Sequence, residues 1–184
     1  MKKYIFSASI LGLLIVGLVV AQAFFIRRFD DTLTGYEETP LTLSTTGNGQ
    51  FTGRVINTNG QQEIQYTLSY EELEGNVLQA HIHLGARGLT GGISVFLCTN
   101  LGNGPAGTQA CPTAPATITG TLRPIDVIGP AGQGITAGQF DELVNAMKAG
   151  ATYVNVHSSL YPTGEIRSQI DLDRGRERDH GDEH

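Results

Sequence analysis

The chain has 184 residues, with 12 Lys and Arg against 18 Asp and Glu and a formal net charge of −6. Lys2 and Lys3 sit at the extreme N-terminus, so the remainder is more acidic still. That balance argues against nucleic acid and anionic membrane surfaces as partners, because both reward basic patches. The length suits one domain with a real core and leaves little room for a second.

The N-terminus follows the order of an export signal: Lys2 and Lys3, an apolar stretch from Ile5 to Val20, then the small-x-small site Ala21-Gln22-Ala23. Residues 1–23 therefore read as a signal peptide cleaved after Ala23. The alternative is an uncleaved membrane anchor, because the apolar run continues through Phe24, Phe25 and Ile26, and about 20 apolar residues span a bilayer. In either case the positive-inside bias sends the rest across. The expected location is extracytoplasmic, whether secreted, periplasmic or cell-surface, with membrane contact only through this segment.

Beyond it, 24 glycines punctuate short segments rich in Thr, Val, Ile and Tyr, the pattern of short strands joined by turns. Strands are predicted at Gly49 to Asn57, Glu63 to Tyr70, Val77 to Leu84, Ile93 to Cys98, Thr117 to Leu122, Thr152 to His157 and Gly164 to Ile170. Asn57-Thr58-Asn59-Gly60 carries an Asn-Gly pair and reads as the hairpin turn between the first two. Such strands predict a single mainly β domain, an antiparallel sandwich or Greek-key-like fold.

The only two cysteines, Cys98 and Cys111, predict a disulfide in an exported chain. It would close the Gly/Pro-rich loop from Leu101 to Gly107. Closing a loop of that size contributes about 3 kcal/mol in the chain-entropy account, so the bridge reads as loop control and not as redox chemistry. One short helix is predicted before the last strand pair. Thr136 is its N-cap with Gln139 three residues on, Phe140, Leu143, Val144 and Met147 share one face, and Gly150 closes it. The charged stretch 171–184 has almost nothing apolar to bury and is predicted to be a disordered tail.

The segment richest in chemistry is Ala80-His81-Ile82-His83-Leu84-Gly85. On a strand alternate side chains share a face, so His81 and His83 project together while Ala80, Ile82 and Leu84 face the core. The same alternation sets Tyr153, Asn155 and His157 opposite Val154 and Val156, and Glu165, Arg167 and Gln169 opposite Ile166 and Ile170. If the last two strands form a hairpin and the His81 strand lies beside it, His81, His83, His157, Glu165 and Arg167 converge. One reading is a polar network in which Glu165 and Arg167 orient the imidazoles. The other is a mononuclear copper or zinc site of His81, His83 and His157, with a carboxylate such as Glu165 fixing a ring tautomer and Asn155, Tyr153 and Arg167 completing a ligand face.

Other catalytic templates find little support. Ser158 follows His157 directly, and adjacent strand residues point to opposite faces. Asp126, Asp141 and Glu142 lack a partner at acid/base spacing. No catalytic residue is assigned.

These residues resemble a known family, the CHRD domain, named from chordin and found also in microbial exported proteins. The resemblance rests on Leu33-Thr34-Gly35-Tyr36-Glu37-Glu38-Thr39-Pro40 with Thr45-Thr46-Gly47, on Ala80-His81-Ile82-His83-Leu84-Gly85 with Gly88 and Gly91, and on Tyr153-Val154-Asn155-Val156-His157-Ser158 with the stretch from Pro162 to Ile170. It spans residues 31–170. It implies an extracytoplasmic β-sandwich-like domain without an agreed catalytic activity, and chordin itself resembles a binding protein for secreted growth factors. Where the family carries a pair of prolines after the glutamate this chain has Thr39-Pro40, and the Cys98 to Cys111 loop resembles a local insertion.

A His-x-His strand before a Gly-rich loop is also similar to copper-zinc superoxide dismutase. The bridging-histidine segment and the aspartate of the zinc subsite are missing, which argues against a dinuclear dismutase. The expectation is therefore an exported, non-catalytic binding domain for an extracellular protein or small ligand, with a candidate His-based metal site. The alternative is a mononuclear copper or zinc protein with redox or oxidant-handling activity.

Overall fold

The structure, a computed structural model, describes residues 26–58 and 60–172. The predicted signal segment, Asn59 and the charged stretch from residue 173 onward lie outside the described residues. Eight strands run in chain order: β1 (Ile26–Thr34), β2 (Asn48–Thr58), β3 (Gln61–Glu71), β4 (Val77–Leu84), β5 (Ile93–Thr99), β6 (Ala116–Leu122), β7 (Thr152–Ser158) and β8 (Ile166–Gln169). One α-helix among the described residues, α1 (Phe140–Lys148), precedes β7.

All pairings are antiparallel and join the strands into one sheet in the order β5-β4-β7-β8-β1-β2-β3-β6. The sheet curls until its edge strands β5 and β6 nearly meet. Gln109 sits in the seam, where its Nε2 donates to Leu97 O on β5 and to Thr119 O on β6. It lies within the loop closed by the Cys98–Cys111 disulfide. The predicted sandwich is thus built as a nearly closed single sheet, and the stapled loop is part of its closure.

Strand alternation generates the core. Ile64, Tyr66, Leu68 and Tyr70 of β3, Ala80 and Ile82 of β4, and Val154 and Val156 of β7 all point inward into one apolar cluster. Helix α1 lays Phe140, Leu143, Val144 and Met147 onto that cluster. It starts four residues after Thr136, because Gly138 takes a φ of 84° that a continuing helix does not allow. The expected reciprocal contact survives in part, with the Thr136 N–H donating to Gln139 Oε1 at 2.6 Å.

The hairpin at Asn57 forms as predicted, Thr58 pairing with Gln61 and the Gly60 N–H donating to Asn57 Oδ1. β1 was not among the predicted strands. It carries Arg27, Arg28, Asp30 and Asp31 among few apolar residues, and the buried Asp31 occupies an inward position between Phe29 and Leu33. Leu172, at the start of the predicted tail, is buried against the core.

Candidate functional site

The order β4-β7-β8 puts the three polar strand faces side by side. Across it His81 pairs with Asn155, His83 with Tyr153 and Gln79 with His157, while Asn155 pairs with Arg167 and Tyr153 with Gln169. The ladder between β4 and β5 is irregular on either side of Ile82, between Ala80 and His81 and again between Ile82 and His83. Such bulges re-aim side chains and recur beside functional sites.

This outward face is dry. Every residue of β7 and β8 is buried on both faces of the sheet, because two loops fold across the outside. From one end comes the segment 35–47, where Glu38 Oε1 accepts from Asn155 Nδ2 at 2.5 Å, Thr39 accepts from Arg167, and Thr45 donates to Glu165. From the other comes the loop 85–92, where Leu89 O accepts from Arg167 at 2.8 Å and Gly85 O from Gln169. An exposed Arg87–Glu37 ion pair at 2.6 Å joins the two loops. Gly91 lets the second loop lie this close, since a Cβ there would stand 1.6 Å from Leu84 O.

Under this cover His81, His83 and His157 form a cluster in which one nitrogen from each ring lies within 4.8 Å of the others. They are 0, 7 and 6 % exposed. His83 Nδ1 lies 3.0 Å from Gly91 O and His157 Nδ1 3.1 Å from Pro162 O. A carbonyl only accepts, so both Nδ1 atoms carry the proton and both Nε2 atoms keep a lone pair. His157 Nε2 faces His81 Nδ1 at 3.2 Å, whereas His83 Nε2 and His81 Nε2 have no hydrogen-bond partner among the described residues.

Aromatic contacts hold the rings. His83 stacks on Tyr153 with centroids 4.7 Å apart and planes 4° from parallel, and His81 meets Phe96 edge-on at 4.3 Å. The Arg167 guanidinium carbon sits 3.5 Å from the Tyr153 ring centroid, a cation–π geometry. Burial pushes the His83 and His157 imidazoles down to about 4 and His81 lower still, with His157 and His83 adding to the effect at His81. All three rings are neutral at neutral pH, the form that binds metal. Burial acts oppositely on the neighbouring Glu38, raising it to about 7 against the pull of Asn155 and Arg167.

The His81–His157 separation matches that of two metal ligands, since two nitrogens about 2.0 Å from one ion at a tetrahedral angle stand about 3.3 Å apart. The full three-ring set spreads over as much as 4.8 Å. The carboxylate expected to set a tautomer does something else. Glu165 accepts from Thr45 Oγ1 and from the Glu74 N–H at 2.6 Å, pinning loops and not rings. Backbone carbonyls of Gly91 and Pro162 take the tautomer-setting place. Glu38, Gly91 and Pro162 complete the site without any periodic signal of their own.

An antiparallel, nearly closed β domain with a covered polar face over three adjacent strands is the class that this architecture defines. The family model described as CHRD domain matches residues 29–170, and the chain belongs to that family. Neither a curated protein nor a solved structure matches it. Membership supports a binding-type domain, and the disulfide is consistent with an oxidising, extracellular setting.

Proposed function

We propose that this chain is an exported CHRD-type binding domain that holds one copper or zinc ion through a nitrogen each from His81, His83 and His157. The carrying observation is the pair of carbonyl-locked rings. Gly91 O and Pro162 O hold the Nδ1 protons of His83 and His157 and so leave their Nε2 lone pairs available, in a buried cluster where one nitrogen from each of the three rings lies within 4.8 Å of the others. The buried Nε2 atoms of His81 and His83 find no hydrogen-bond partner among the described residues; such orphaned lone pairs are costly, and an ion bound by the rings removes that cost.

Export draws its support from the Lys2 to Ala23 pattern and from the disulfide. The partner is an extracellular protein or small ligand, met by the loops that cover the site. Redox or oxidant-handling turnover is the second reading. It requires a path from solvent to the ion, and the loops across the rings favour the binding role.

The test uses the full chain with His180 and His184 replaced by alanine, so that they cannot contribute ligands. About one ion per chain is expected after loading and desalting, and none after His81→Ala with His83→Ala. Less than about a tenth of an equivalent in the parent overturns the reading, because tight sites fill completely.

A further inference from the structure

Holding an ion through Nε2 asks something particular of His83. A neutral imidazole carries one proton, so a free Nε2 lone pair requires that proton on Nδ1. Gly91 O is the acceptor that keeps it there, at 3.0 Å. Yet Gly91 belongs to the loop 85–92, which holds four glycines, Gly85, Gly88, Gly91 and Gly92. Glycine turns about its backbone bonds more freely than any other residue. Something outside the loop must therefore fix the direction of that carbonyl.

Two side chains do so. The Gly91 carbonyl and the Gly92 N–H are the two ends of one peptide group, and each end is gripped. At the carbonyl end Tyr153 reaches in from β7, where its hydroxyl accepts from the Gly91 N–H at 3.1 Å and donates to Gly91 O at 3.4 Å. At the other end the Gly92 N–H donates to Gln133 Oε1 at 2.7 Å, while Gln133 Nε2 donates to Leu84 O at 3.1 Å. Gln133 closes the short 3-10 helix Ala131–Gln133, on the connection between β6 and α1. Tyr153 also stacks its ring on His83 with planes 4° from parallel. One side chain thus sets both the plane of the imidazole and the oxygen to which that imidazole donates. Gln169 and Arg167 hold the earlier part of the loop, through Gly85 O and Leu89 O, and leave the Gly91–Gly92 peptide to Tyr153 and Gln133.

Resting on the metal-site reading above, we propose that Tyr153 and Gln133 are positioning residues for the ion. By clamping the Gly91–Gly92 peptide they keep His83 in the Nδ1–H tautomer and its Nε2 lone pair free to bind. His157 takes its tautomer from Pro162 O instead, which makes it an internal control.

The experiment uses the full chain with His180 and His184 changed to alanine, which leaves three of the five histidines. Long-range proton–nitrogen correlation spectra of the metal-free protein at neutral pH read the tautomer of each ring. His83 and His157 are both expected as Nδ1–H. Tyr153→Phe keeps the ring and loses only the hydroxyl, and Gln133→Ala changes an exposed position. Each is expected to displace the peptide, so that His83 loses its single tautomer while His157 keeps its own. Zn(II), offered from a chromogenic chelator of known affinity, is expected to bind each variant about 100-fold more weakly than the parent. An unchanged His83 tautomer in both variants overturns the clamp. So does a change that His157 shares equally, since general loosening would produce it. Parent protein that binds neither Zn(II) nor copper overturns the metal site, while the tautomers of the metal-free protein still decide the clamp.

Discussion

The two halves of the sheet obey different rules. Along β3 burial alternates residue by residue, with Ile64, Tyr66, Leu68 and Tyr70 inside and intermediate or exposed positions between them. Along β7 every residue is buried. The inner faces are alike, one continuous apolar cluster. The difference lies outside, where β3 meets water and β7 meets the segments 35–47 and 85–92. A polar side chain on β3 is satisfied by solvent, whereas one on β4, β7 or β8 must find a partner within the protein or bind something.

The sharpest way to break this comparison is through the face that the halves share. Ile82→Ala on β4 and Phe51→Ala on β2 should each cost about 3 to 5 kcal/mol in urea denaturation, because both empty a fully buried position. A loss under about 1 kcal/mol at either would mean that the two halves do not share one core. Next comes the seam. Replacing Cys98 and Cys111 together by alanine frees a loop of sequence separation 13, and about 3 kcal/mol of stability should go with it. A free-thiol assay on the denatured, unreduced parent should find no thiol, and two reactive thiols would sink the bridge.

The pH dependence belongs to the double-sided half. Histidine has an unfolded pKa near 6.5, and burial pushes His83 and His157 down to about 4. Between those limits the unfolded chain binds protons that the fold refuses, so the stabilisation is complete above pH 6.5 and is lost as pH falls toward 4. Glu38 works against this. Raised from 4.5 to about 7, it contributes most below pH 4.5 and loses that contribution as pH rises through 7. The rings outnumber the carboxyl, so metal-free protein should melt higher at pH 7 than at pH 5, and Glu38→Gln should steepen the rise. A flat or falling profile in the parent would contradict the burial of the rings. The smallest effect belongs to the solvated half, where Thr119→Ala on the exposed face of β6 should change stability by less than about 0.5 kcal/mol.

Much of the site was legible in the sequence because strand alternation needs only local information. His81 with His83, Val154 with Val156 and Ile166 with Ile170 announce their faces by period alone, and the β7–β8 hairpin with β4 beside it brings the imidazoles together. What local pattern does not carry is what lies over a face. The segments 35–47 and 85–92 are Gly- and Thr-bearing loops whose course is set by tertiary contacts such as Arg167 with Leu89 O. The same limit applies to β1, whose inward Asp31 disrupts the apolar alternation, and to the tautomers of His83 and His157. The strand pattern points to a carboxylate there, and the fold uses main chain instead.

That last choice shapes how the site meets genetic change. The oxygens that orient His83 and His157 belong to the peptide backbone at Gly91 and Pro162, and no side-chain replacement deletes them. A lineage drifting by point mutation has no graded means of loosening these two rings one hydrogen bond at a time. It can exchange a histidine outright or displace a loop, and either event is abrupt. To a mutating sequence the site is a switch with two positions, kept or lost.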